Sequence, residues 1–308
     1  MTETVNRRQF LQAAGLTALA MSAGATAFAE TIRKKSGLKI GYSAITWGGK
    51  DEQAIKDVAA LGFKGIQLRA NTFKPFGAKP SELKAMLDQH GLTLAMFSSG
   101  NVEIDPAKEQ STIDMHVAHA SFVKALGGSS LQLTNNVRPK DRQPTPEELK
   151  RLARVMNEIG KQTADMGVQA AYHNHMHQLG ETPEEVDIIA QEMNPKYVKL
   201  LLDIAHYHQG GGNPAKAVKQ YKDLLYALHL KDTRSPLPDK PDNPKAYKFV
   251  ELGQGNVDIP AVFAALRDIK FNGWGVIELD GIPDPGKTAA QCAQISRDYI
   301  TKNLNFTI

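Results

Sequence analysis

The sequence predicts an α/β chain folded as a closed (β/α)8 barrel, a single domain. Three observations carry that expectation. Short apolar runs alternate with longer amphipathic segments from Gly37 onward, the alternation repeats eight times with no linker, and polar residues gather where the apolar runs end. An open, doubly wound sheet fits less well, because no G-x-G-x-x-G follows the first run.

The eight strand candidates span 38–47, 62–70, 92–100, 129–136, 168–175, 198–206, 224–232 and 273–280. Helical patterns follow them, as in "DEQAIKDVAALG" (51–62), "PSELKAMLDQHG" (80–91) and "TPEELKRLARVMNEIGKQTADMG" (145–167). "TPEE" occurs at 145–148 and again at 182–185, placing a Thr cap before Pro at the first helical position and Glu two residues further in. Several helical patterns close on Gly, the residue that tolerates a left-handed helix end. The stretch 233–251, "TRSPLPDKPDNPKAYKFVE", is too long for an ordinary connection and reads as a substrate-covering loop.

Residues 1–29 stand apart. Arg7 and Arg8 precede Phe10 and Leu11, a mild Ala- and Gly-rich run follows, and Ala27-Phe28-Ala29 closes it. This resembles a twin-arginine export signal, with the mature chain expected to start near Glu30 and to reach the periplasm already folded. No later segment is apolar for long enough to cross a membrane, so no stable membrane anchor is expected. Cys292 is the only cysteine, which excludes an intrachain disulfide. The net charge of +4 comes from 37 basic and 33 acidic residues with no basic run interleaved with aromatics, so no nucleic-acid partner is expected.

Chemistry in such a barrel sits at the C-terminal strand ends. In order these carry Trp47, Arg69, Ser98 and Ser99, Gln132, His173 and His175, Asp203 and His206, His229 with Lys231 and Asp232, then Glu278 and Asp280. His173, Asp203, His229 and Glu278 come from four strands and together suit one divalent metal ion: Mn2+, Mg2+, Co2+ or Zn2+. Taken singly, a strand-end Asp is commonly a helix cap and a strand-end His a hydrogen-bonded core residue.

"YHNH" (172–175), "LLDIAH" (201–206), "HLKD" (229–232), "GQGNVD" (253–258) and "IELD" (277–280) resemble the xylose-isomerase-like barrel superfamily. That group of sugar phosphate isomerases and epimerases includes ketose 3-epimerases, inosose dehydratases and, more distantly, endonuclease IV. The resemblance covers 37–308 and implies metal ligation by Asp203, His229 and Glu278, with His206 binding substrate. His173 stands where the family commonly has a Glu ligand, which in the ketose epimerases is also one of two acid/base carboxylates. His173 is therefore expected as ligand or base, Asn174 as a buried hydrogen-bonding group, and His175 as a group facing substrate. His177 is expected in a loop without a role.

The chemistry this implies is proton abstraction next to a carbonyl through an enediolate, with Glu278 as base and His173 or His206 as its partner. Lys231 and Arg69 are expected to steady substrate oxygens, and Trp47 and Phe76 to stack on a sugar face. Returning the proton gives an isomerase or epimerase, the first reading. Expelling a β-leaving group gives a lyase, either a dehydratase or an enzyme cleaving keto-glycosides. A non-catalytic, exported sugar-binding barrel is the alternative from another class. A nuclease is disfavoured because the second and third strands end on Arg69, Ser98 and Ser99 rather than further metal ligands. The expected partner is a small carbohydrate, with free sugars, inositols or keto-glycosides suiting an exported enzyme better than sugar phosphates. A homo-oligomer is common in the family.

Overall fold

The computed structural model of the chain describes residues 37–243 and 245–308. The export signal expected at 1–29 lies outside the described residues. Chain order runs β1 (Lys39–Ser43), α1 (Asp51–Ala60), β2 (Gly65–Arg69), α2 (Phe73–Phe76), α3 (Pro80–Gln89), β3 (Thr93–Asn101), α4 (Glu109–Ala125) and β4 (Ser130–Thr134). It continues with α5 (Pro146–Ala164), β5 (Gln169–His173), α6 (Pro183–Glu192), β6 (Val198–Asp203), α7 (Ile204–Gln209), α8 (Pro214–Gln220) and β7 (Leu225–Leu230). A small hairpin, β8 (Asp232–Arg234) with β9 (Lys248–Val250), precedes α9 (Ile259–Asp268), β10 (Trp274–Ile277) and α10 (Ala289–Asp298). Among the described residues no helix is long and apolar enough to cross a membrane.

The barrel closes in the order β1-β10-β7-β6-β5-β4-β3-β2, every neighbouring pair parallel. Its ring is completed where β1 pairs with β10 through Lys39 opposite Trp274 and Tyr42 opposite Ile277. Gly65 is required near that seam, because a Cβ there would collide with the Trp274 indole. Helix starts follow the sequence signals. The Glu148 N–H donates to the Thr145 hydroxyl while the Glu148 carboxylate accepts from the Thr145 N–H, and Thr182 caps α6 by accepting from Glu185 N–H, the Glu185 carboxylate accepting instead from Gly180 N–H and Glu181 N–H.

Strand periodicity builds the site. Alternate residues face the barrel axis, and the deeper layer is an apolar plug containing Met96, Ala171, Leu201, Ala227 and Val276. Two residues further along β5, β6, β7 and β10, the same inward phase brings His173, Asp203, His229 and Glu278. A separate, larger apolar core fills the space between barrel and helices, with Ile66, Leu131, Leu200 and Ile259 fully buried in it.

Seven of the eight barrel strands end earlier than the sequence pattern suggests, β1 by four residues and β6 and β10 by three. β1 stops at Ser43 and Ala44–Trp47 turn into a 3-10 helix, pinned by the Thr46 hydroxyl donating to Leu279 O at 2.7 Å. β6 stops at Asp203 because that carboxylate caps α7, accepting from Ala205 N–H and His206 N–H at 2.9 Å each. The 233–251 stretch is tied at its base, since β8 and β9 pair from Asp232 opposite Val250 to Arg234 opposite Lys248.

Candidate functional site

Four ionisable side chains meet at the barrel mouth: one potential ligand atom from each of His173, Asp203, His229 and Glu278 lies within 4.8 Å of all the others. His173 Nε2 is 2.9 Å from His229 Nδ1, and Asp203 Oδ2 is 3.6 Å from each of those nitrogens. Glu278 Oε1 lies 3.4 Å from His229 Nδ1. Asp203 divides its labour: Oδ1 caps α7, while Oδ2 is buried with no hydrogen-bond partner among the described residues, His173, His206, His229 and Lys231 lying 3.6–3.9 Å away. A buried carboxylate oxygen left unpaired is costly, and a cation at the centre of this cluster would satisfy it.

Gln67, buried at the middle of β2, wires the cluster together. Its Oε1 accepts from His229 Nε2 at 2.9 Å, and its Nε2 donates to Glu278 Oε2 at 2.9 Å and to Ser43 Oγ at 3.2 Å. With the proton on Nε2, His229 presents a bare Nδ1 to the cluster, the form a metal requires. Two nitrogens, two carboxylate oxygens, an orphaned acceptor and a set tautomer fit a divalent ion. Strand ends alone do not point to Gln67; the signal for it is a Gln inside the apolar "GIQLR".

Charges around the cluster are balanced by contact. Burial pushes the Asp203 carboxyl up, but His206, Lys231 and the flanking His173 and His229 bring it well below the ordinary range. Burial acts the same way on Glu278, and His229, Lys231 and His173 outweigh it, holding that carboxyl at about 2. Lys231 is fully buried, which would lower its pKa, yet Asp280, Glu278 and Asp203 hold it above its ordinary value. Its Nζ lies 2.6 Å from Asp280 Oδ1 and 3.4 Å from Glu278 Oε1, and sits 4.1 Å over the Phe249 ring.

The peptide of Met176 contacts two neighbouring imidazoles, one at each end. His206 Nδ1 lies 3.2 Å from Met176 N, and His206 Nε2 lies 3.3 Å from the Lys231 ammonium. His175 donates from Nδ1 to Met176 O at 2.6 Å, which leaves its Nε2 bare. The two ring centroids are 3.9 Å apart. Burial, then His173 and Lys231, depress His175 to about 4, so it is neutral near pH 7. Asn174 clamps β5 to β6, accepting from Asp203 N–H at 2.9 Å and donating to Asp203 O at 3.1 Å.

A cavity of about 350 Å³ opens beside the cluster, lined by His173, His175, Glu278 and Asp280 on one side and by Arg69, Ser98 and Gln132 on the other. Phe249 from the β8–β9 hairpin packs on His206 at 5.1 Å between centroids, and Tyr247 behind it contacts Phe249 and, through its hydroxyl, His177 Nε2 at 3.2 Å. The long connection therefore covers the β5–β7 side of the mouth. His177, expected to be idle, meets that cover.

Two expected substrate contacts fall elsewhere. Trp47 does not line the cavity: the 3-10 turn carries it into the barrel wall, edge-on to Tyr42, with its indole N–H donating to Asp57 at 2.7 Å. Phe76 packs partly buried against the outer core, also outside the cavity lining. Ser98 lines the cavity, whereas Ser99 turns outward to His116 and His119.

Known proteins share this plan. Residues 55–299 match the family described as xylose isomerase-like TIM barrel. The chain belongs to that family. It is 29% identical over 276 residues to an inosose dehydratase of Clostridium botulinum (strain Alaska E43 / Type E3), covering 80% of this chain and 91% of that relative. Among solved structures, the fold matches the IOLI protein with a bound zinc atom at a TM-score of 0.71 and 20% identity, covering 88% of this chain and 100% of that one. It also matches the probable 3-DHS dehydratase AsbF of Bacillus anthracis at a TM-score of 0.70 and 16% identity, over 86% of this chain and 99% of that one.

Proposed function

We propose that the chain is a divalent-metal-dependent dehydratase that removes water from a polyhydroxylated ketone of the inosose class. The observation that carries this reading is the convergence of His173, Asp203, His229 and Glu278, with the orphaned Asp203 Oδ2, beside a polar cavity that His173 and Glu278 line. Those four residues would hold the ion, which supplies Lewis-acid stabilisation of negative charge developing on the substrate's carbonyl oxygen.

Isomerase or epimerase chemistry, the first expectation, has less support than elimination. Returning a proton to the opposite face asks for acid/base groups on both sides of the carbon. Here the two carboxylates lining the cavity, Glu278 and Asp280, both follow β10, and Asp280 is held by Lys231. The curated relative is a dehydratase as well. Elimination needs one proton-handling group beside the reacting bond. Glu278 and His173 turn their reactive atoms into the cluster, and His206 is buried behind His175. His175 lines the cavity with a bare Nε2. In this reading His175 takes the proton next to the carbonyl, the C–O bond to the β-hydroxyl breaks as the C=C bond forms, and the same proton leaves with that hydroxyl as water. The Lys231 ammonium, fixed by Asp280 and Glu278, adds positive potential at the mouth. With the twin-arginine pattern at Arg7 and Arg8 we place the activity in the periplasm, which fractionation of the cells would check.

The test combines elemental analysis of protein purified without chelator with turnover of inosose, followed by product absorbance. About one divalent ion per chain, lost in Asp203→Ala, and a drop of roughly 10²- to 10⁴-fold in kcat for His175→Ala with metal retained, are the expected results. No ion in the wild-type protein even after incubation with Mn2+ or Zn2+ would overturn the reading and favour the sugar-binding barrel. Solvent deuterium incorporation without water loss would restore the epimerase reading.

A further inference from the structure

Two glutamines face the barrel axis, and their amides are in opposite situations. Gln67 on β2 has both ends of its amide engaged, with His229, Glu278 and Ser43. Gln132 on β4, in register between Ser98 of β3 and Ala171 of β5, has neither. It is only 4% exposed and lines the cavity, its Oε1 is buried without a partner, and its Nε2 makes no hydrogen bond among the described residues. An apolar side chain of similar volume would fill the position without the penalty of a desolvated, unpaired amide oxygen. The Arg69 guanidinium, on the same side of the cavity, likewise makes no hydrogen bond with the described residues, although its charge is felt by Asp51.

These free groups define what they can bind. Whichever way the Gln132 amide is turned, it presents one acceptor and a pair of donors, while Arg69 presents donors only. A carboxylate or phosphate would suit Arg69 and the Gln132 donors but, having no proton to give, would leave the buried Gln132 Oε1 without a partner. A hydroxyl both donates and accepts, so neighbouring hydroxyls satisfy both side chains. We propose that Gln132 is a specificity-determining residue which, beside Arg69, binds neighbouring free hydroxyls on the part of the substrate that the His173–Asp203–His229–Glu278 cluster does not hold. Naming a polyol rests on the proposed function; the unpaired amide does not.

The experiment is calorimetric titration of the metal-loaded protein with myo-inositol, which has no carbonyl and cannot undergo the elimination, and with its monodeoxy analogues. Wild-type protein should bind at least one monodeoxy analogue about tenfold more weakly than the parent, the scale of one lost hydrogen bond to a buried partner. Gln132→Leu should bind that analogue and the parent alike. Gln132→Glu, which keeps an acceptor, should retain the preference; Gln132→Met serves if the leucine variant does not fold. Unchanged discrimination in the leucine or methionine variant, or no binding of any of these polyols by the wild-type protein, would overturn the proposal. Intact discrimination in a protein that does not dehydrate inosose would instead sink the dehydratase reading and leave Gln132 in its role.

Discussion

Gln67 carries more of the site than its neutral side chain suggests. One amide fixes the His229 tautomer and orients the Glu278 carboxylate, and nothing else among the described residues bonds to both. Gln67→Leu keeps the volume and removes both bonds, so the affinity for a divalent ion should fall about 10- to 100-fold, read by competition with a chelator. Gln67→Glu should restore the contact to His229 but set a second carboxylate against Glu278. An unchanged metal affinity in the leucine variant would mean that the strands alone fix the ligands. The residue was legible in part: "GIQLR" places a polar side chain at an inward position of a buried strand. His173, Asp203, His229 and Glu278 were legible because each ends or follows an apolar run. The free state of Gln132 was not, since an unpaired amide is a property of its neighbours in space. Nor was the position of Trp47, which depended on where β1 would turn.

At the scale of elements, strand ends were harder to place than strands, and the reason is local chemistry. Asp203 reads equally as the last residue of an apolar run and as a helix cap, and it acts as both, which ends β6 three residues before the pattern does. The end of β3 is held by a different device. Ser99 Oγ lies 2.6 Å from His116 Nδ1 and 2.8 Å from His119 Nδ1, while His116 Nε2 donates to Asn101 O at 3.2 Å. This clasp joins α4 to the segment that brings Ser98 and Asn101 to the cavity. Burial lowers His116 from 6.5 to about 4, the Asn101 contact opposing it, so the folded protein keeps this imidazole neutral where the unfolded chain would protonate it. Between those pH values the unfolded state binds the extra proton, and stability must fall as pH drops from 6.5 towards 4. The loss from this one group is roughly 3 kcal/mol at the acid end, at about 1.4 kcal/mol for each pH unit crossed. Urea unfolding at about pH 7.5 and about pH 5, on either side of the unfolded histidine's titration, should show a shallower pH dependence for His116→Gln than for the wild-type protein. Equal slopes would remove His116 from the account.

Across the whole molecule the mouth of the barrel divides in two. The four cluster residues come from β10, β7, β6 and β5, which are consecutive in the closed sheet, while Arg69, Ser98 and Gln132 come from β2, β3 and β4 on the remaining arc. One arc holds the carboxylates and imidazoles and the other offers hydrogen bonds from Arg69, Ser98 and Gln132, an arrangement that a substrate with a reactive end and a hydroxyl-rich end would span. It follows that an ion in the cluster would tie neighbouring strands through side chains that otherwise leave Asp203 Oδ2 unpaired. Binding to the native state alone stabilises a protein by about 2.7 kcal/mol at a hundredfold excess over Kd. At roughly 2–4 °C per kcal/mol for a domain of this size, Mn2+ or Zn2+ should raise Tm by about 5–10 °C, and a chelator should reverse the gain. Asp203→Ala should show no such response, although its own Tm should already be lower because α7 loses its cap. An equal rise in the wild-type protein and in Asp203→Ala would place the ion elsewhere on the molecule and dissolve the link between the cluster and the stability of the barrel.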